Sequence, residues 1–149
     1  MEKKVFGYPE FDQNGEEILT TYDGPYSDML MDIRVYRMKA GEQRTFCKDS
    51  EELATLLISG DIIYEYDGNS QQAQRKNCFD FGPWASHMCA GSSIQITANA
   101  DSEILVQCTH NDQKFDTKIY SPDDFPWGYA SSKGKFGEVA NRQVNTVFD

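Results

Sequence analysis

Histidine is scarce in this chain, with two residues in 149, and the four cysteines form no CxxC or CxxH pair. Cys47, Cys78, Cys89 and Cys108 stand 31, 11 and 19 positions apart. That spacing excludes a zinc ribbon or a dithiol redox motif. The cysteines therefore read as small buried hydrophobes. A catalytic thiol needs a base beside it, and His87 and His110 are the only imidazoles that could serve. Positive charge is also short, 14 Lys and Arg against 24 Asp and Glu, for a net charge of -10. An acidic surface without clustered cations excludes nucleic acid and anionic membrane as partners. No apolar run approaches the roughly 20 residues of a membrane helix. Met1-Glu2-Lys3-Lys4 leads into polar sequence rather than a signal-peptide core, so a cytoplasmic location is the expectation. Disorder is excluded in turn by 39% hydrophobic and 13% aromatic residues. One domain of this length buries roughly two thirds of its unfolded surface and needs no disulfide or metal staple.

What the sequence does have is alternation. From about residue 30, short β-rich runs recur at roughly ten-residue intervals. They cover 29–38, 54–58, 61–66, 93–98, 104–110 and 114–120. Between them lie turn residues that tolerate positive φ: Ala40-Gly41, Ser59-Gly60-Asp61, Asp67-Gly68-Asn69-Ser70, Ala90-Gly91-Ser92 and Asn99-Ala100-Asp101. The pattern predicts an all-β fold, a jelly-roll antiparallel sandwich or barrel over 29–120. A polar arm, 1–28, precedes it, and an aromatic and glycine-rich loop with a linker-like segment, 121–149, follows. Residues 50–57 carry leucines at helical spacing after Ser50, but the run is short and continues into strong β residues, and we read it as strand.

The most informative stretch runs from Gly41 to Gly60. Gly41 is followed by five residues, Cys47-Lys48-Asp49, three residues, Leu53, six residues and Gly60. This spacing resembles the first motif of metal-binding cupins, in which His-x-His and Glu hold the metal. Cys89-Ala90-Gly91-Ser92-Ser93-Ile94 resembles their second motif, with Ile94 in place of histidine. Such sites gather imidazole nitrogens and a carboxylate on a divalent cation. Cys47 and Asp49 retain donor atoms; Leu53 and Ile94 have none. These four are degenerate ligand positions, and the expectation is a cupin barrel with no metal and no cofactor.

A closer resemblance rests on three segments taken in order. They are Leu57-Ile58-Ser59-Gly60 with Tyr66-Asp67-Gly68, then Gln74-Arg75-Lys76-Asn77-Cys78-Phe79, then Phe136 to Val147. Together they look like the amino-terminal half of the bacterial 5-deoxy-glucuronate isomerase family of myo-inositol breakdown, related to the 5-keto-4-deoxyuronate isomerases of pectin breakdown. The resemblance implies a two-cupin enzyme with its metal in the other half, so that this chain supports an active site completed elsewhere. Aldose–ketose isomerisation needs a base and an electrophile. The residues here assemble neither, and no catalytic residue is assigned. A stand-alone cupin that binds a small sugar acid, or a dimerisation domain, is the alternative.

Several residues carry two readings. Arg75, with Lys76, would meet a uronate carboxylate through its planar fork, or form a surface ion pair. His87 lies before the Cys89 turn, where it would act as an acid or base at the barrel mouth or serve as a hydrogen-bonded structural residue. Trp84, with Phe79, Phe81 and Pro83, offers a face for a sugar ring or ordinary core. Trp127 and Tyr129 would fold over a pocket or dock on another subunit. Docking is the preferred reading, and with an arm able to pair with a neighbour's sheet it points to a homodimer. Glu51-Glu52 and Asp123-Asp124 read as solvated charge.

Overall fold

A computed structural model describes residues 7–125, 131–136, 140–144 and 147. Its strands, in chain order, are β1 (Glu16–Thr20), β2 (Asp32–Met38), β3 (Gln43–Cys47), β4 (Glu51–Tyr66), β5 (Asn69–Arg75), β6 (Ala85–Met88), β7 (Ser93–Ala98), β8 (Ser102–His110) and β9 (Lys118–Tyr120). A separate antiparallel pair, β10 (Ser131–Phe136) and β11 (Ala140–Val144), follows. One sheet has the order β1-β2-β8-β4-β6-β9. The other is β3-β7-β4-β5, and every pairing is antiparallel.

Strand β4 belongs to both sheets. The sequence predicts a turn at Ser59-Gly60-Asp61; instead one 16-residue strand runs through it. The register shifts between Leu57 and Ser59, after which Gly60 pairs with Arg75 of the second sheet. Gly60 sits at φ 125°, and a Cβ there would lie 2.1 Å from Ser102 Oγ, so only glycine lets the strand cross between sheets at this bulge. The Asp67-Gly68 turn falls where the sequence places it. Both residues have positive φ and Tyr66 pairs with Asn69, a two-residue hairpin loop.

Alternation fills the space between the sheets. Leu53, Leu57, Ile62, Tyr64, Ile94, Ile96 and Ile104 are at most 2% exposed. The reading of 50–57 as strand agrees with β4. Other expectations need correcting. The sheet starts inside the presumed arm, because β1 pairs with β2 of its own chain. The run 114–120 is strand only over Lys118–Tyr120. Cys47 and Cys78 are exposed, and only Cys89 and Cys108 are buried. Trp127 and Tyr129 lie outside the described residues.

Candidate functional site

The inward face is defined by rows of paired residues. Asp32 stands opposite Cys108, Cys108 opposite Leu53, and Leu53 opposite Met88. The next row runs Arg34, Val106, Thr55, Ser86. Since Cys108, Leu53, Met88, Val106, Thr55 and Ser86 are buried, Asp32, Arg34 and Tyr36 share the inner face with them. The first row thus changes from charged at Asp32 to apolar at Leu53 and Met88, and the second from charged at Arg34 to the paired Thr55 and Ser86 hydroxyls, 2.7 Å apart.

At the charged end, Arg34 is held on both sides. It donates to Asp32 through Nε at 2.7 Å and Nη2 at 2.8 Å, and to Glu16 Oε1 through Nη1 at 2.8 Å. The bidentate geometry fixes the guanidinium plane. Tyr36 OH also donates to Glu16 Oε1, at 2.8 Å. The Arg34 hydrogen bond holds the Glu16 carboxyl below its ordinary range, despite partial burial. Burial, and then Glu16, pushes the Tyr36 phenol up. Arg44, from β3, places its guanidinium 4.9 Å from the Tyr36 ring centroid. Cys108 is pushed up to about 11, chiefly by burial.

Arg44 Nε is buried here without a hydrogen-bond partner among the described residues, and so, apart from it at the start of β4, is Glu51 Oε1. Glu51 is not the solvated charge its sequence suggests: it is 8% exposed, with Lys48 Nζ at 3.4 Å from Oε2. Asp124 likewise does local work, accepting from Ser121 N–H at 2.7 Å to cap a short 3-10 turn.

The predicted site residues do not converge on one pocket. Arg75 is buried and spends its donors on main-chain carbonyls, Leu57 O at 2.7 Å and Phe81 O at 3.1 and 3.2 Å, rather than forming a surface ion pair. Burial lowers its pKa. Trp84 meets the same residue from the other side, since Leu57 N–H donates to Trp84 O, and its ring packs against the core. Its companion Phe79 is 91% exposed, so Trp84, Phe79, Phe81 and Pro83 are not a single core cluster. His87 pairs with Ala54, on the outer face of β4 and β6 rather than in the mouth. Its Nε2 lies 3.2 Å from Glu52 Oε2, which also accepts from Asn111, and its ring packs against Phe115 at a 37° tilt, 4.5 Å between centroids.

Of the four degenerate ligand positions, Leu53 and Ile94 point inward as buried hydrocarbon, 2% and 0% exposed. Cys47 and Asp49 are exposed. Among the described residues no three His, Cys, Asp or Glu side chains are grouped so as to hold a metal ion. The donor set of a metal cupin does not fit these residues. Sequence reasoning missed Glu16, Asp32, Arg34, Tyr36 and Arg44. The available signal was the period-two pattern Asp32-x-Arg34-x-Tyr36, which has the form of a solvent face because Ile33 and Val35 alternate with it.

A family model described as KduI/IolB matches residues 7–149. The chain belongs to the KduI/IolB family. Among solved structures, this KduI/IolB chain is similar to an IolB-like protein from Salmonella typhimurium, with a TM-score of 0.69, 18% identity and 83% of the chain covered. It spans about half of that relative, 47% of its length. It is also similar to the protein YlbA from E. coli, with a TM-score of 0.60 at 14% identity, covering 79% of this chain and 50% of that one. An RmlC-like cupin from Desulfovibrio desulfuricans gives a TM-score of 0.51 at 16% identity, with 73% and 96% covered. At these identities the likeness establishes the cupin fold alone. No curated protein matches the chain by sequence.

Proposed function

We propose that this KduI/IolB-family chain is a metal-free cupin domain that supports a sugar-acid aldose–ketose isomerase site completed outside it, and is not catalytic alone. The observation that carries this reading is the hydrocarbon at the ligand positions: Leu53 and Ile94 are buried where a metal cupin places Glu and His. Isomerisation needs an electrophile to polarise the carbonyl and a base to move the proton between adjacent carbons. His87, a base by type, faces outward onto Glu52. Metal analysis of the chain after incubation with manganese, iron and zinc tests the proposal, together with an isomerase assay on 5-deoxy-glucuronate. The expected result is neither stoichiometric metal nor turnover. Stoichiometric metal that disappears in Cys47→Ala/Asp49→Ala would overturn the metal-free part, and turnover by the chain alone would overturn the supporting role.

A second reading rests on Arg44 Nε. A buried donor without a partner costs about 1–3 kcal/mol, which the carboxylate of a sugar acid would recover. On this reading the cupin binds a sugar acid at the charged mouth, in cytoplasm and as a homodimer. Calorimetric titration with glucuronate and galacturonate, alongside sedimentation at micromolar concentration, tests it. Flat heats reject the ligand, and a monomer rejects the dimer.

A further inference from the structure

The outer face of the second sheet carries a polar row that the barrel does not use. Thr45 pairs with Gln95, Gln95 with Glu65, and Glu65 with Ser70. A hydroxyl, an amide, a carboxylate and a hydroxyl therefore stand side by side across β3, β7, β4 and β5. At the usual strand spacing this row is about 14 Å long. The Asp67-Gly68 turn closes one end, and the whole forms an open groove of about 430 Å³. That volume lies within the roughly 300–1,000 Å³ of small-molecule sites. Gln95 Nε2 donates to Glu65 Oε2 at 3.2 Å, which ties the amide to the carboxylate. Among the described residues no Lys, Arg or His lines the groove.

We propose that this groove binds an uncharged polyhydroxy compound of mono- to disaccharide size. The row sets groups that both donate and accept, the Thr45 and Ser70 hydroxyls and the Gln95 amide, beside an acceptor, Glu65, and each hydroxyl of such a ligand also does both. An anion meets two carboxylates, Glu65 and Asp67, with no cation among the described lining residues to offset them, so a sugar acid is the wrong ligand here. A cation would satisfy those carboxylates and make no use of the Thr45 and Ser70 hydroxyl donors. Asp67 and Gly68 hold positive φ in the tight turn, so the rim is fixed before a ligand arrives. The site lies on the opposite face of the sheet from the charged mouth, and its fate is independent of the readings above.

The test is an amide chemical-shift titration of the isotope-labelled full chain with glucose, maltose, glucuronate and spermidine. The expected result is saturable, millimolar shifts with glucose or maltose, confined to residue 45 and residues 65–70 and 93–95. Glu65→Ala/Gln95→Ala should weaken that binding by about tenfold or more while the remaining spectrum is kept. Thr45→Val, at the far end of the row, should weaken it as well and serves if the double variant does not fold. The proposal is overturned if neither sugar saturates, if glucuronate or spermidine shifts these groove residues at lower concentration than both sugars, or if the variants that fold bind like the original chain; glucuronate shifts confined to the charged mouth bear on the other reading alone.

Discussion

The two ends of one cross-strand row, Asp32-Cys108-Leu53-Met88, sit in the same barrel and obey opposite rules. At the β2 end, charge is tolerated because each group is bonded: Asp32 takes both arms of Arg34, and Glu16 takes the third together with the Tyr36 hydroxyl. At the β4 and β6 end this row is hydrocarbon, Leu53 and Met88, which join Ile94 in the core cluster, while the neighbouring row ends on the buried Thr55 and Ser86 hydroxyls, 2.7 Å apart. Position inside a cupin barrel therefore does not dictate polarity. What decides it is whether the neighbouring strands supply enough partners to repay desolvation.

The comparison breaks most readily at its apolar end. Leu53→Ala removes a side chain that is 2% exposed and should cost about 2–5 kcal/mol in chemical denaturation, the range of a core cavity. At the charged end, Asp32→Ala leaves Arg34 without its bidentate partner and should cost about 2 kcal/mol. Asp32→Asn, which keeps one acceptor, should cost less. A reversed order, with Asp32→Ala above Leu53→Ala, would mean that the ionic lattice and not the hydrocarbon carries the barrel.

Of the two ends of the row, acid should act on the charged one. Because the folded state depresses the Glu16 pKa from its ordinary 4.5, its contribution is present above that value and is lost as pH falls through the lower folded one. Unfolding free energy should therefore slope downward below about pH 4.5, and Glu16→Gln should flatten part of that slope. The smallest effect belongs to Lys39→Ala. Its 2.8 Å bridge to Asp101 is 76% and 65% exposed, and its removal should change stability by no more than about 0.5 kcal/mol.

Strand spacing, the Asp67-Gly68 turn and the two ligand-stripped motifs were legible before any coordinates, because alternation and turn chemistry are local. The crossing of β4 was hidden: Ser59-Gly60-Asp61 has the composition of a turn, and only the close approach of Ser102 shows that Gly60 serves a bulge. Strand β5, Asn-Ser-Gln-Gln-Ala-Gln-Arg, lacks β-branched residues and is strand because the hairpin pairs it and Asp61 accepts from Gln72 and Gln74. Arg75 and His87 were chosen by residue type. Their surroundings, carbonyls for one and an outward carboxylate for the other, depend on which strand faces which. The ionic lattice at β2 was missed because polar residues at every second position imply solvent unless a neighbour brings the opposite charge.

A single strand common to both sheets also has a consequence for how the molecule comes apart. Along its 16 residues β4 is bonded to β8 and β6 at one end and to β5 and β7 at the other. Neither sheet can shed its central strand without pulling on the other's. Amide protons of Leu53 and Tyr64, on opposite sides of the bulge, should therefore exchange through the same opening event. The barrel behaves as one cooperative unit, threaded on a strand that can make the crossing only because residue 60 has no side chain.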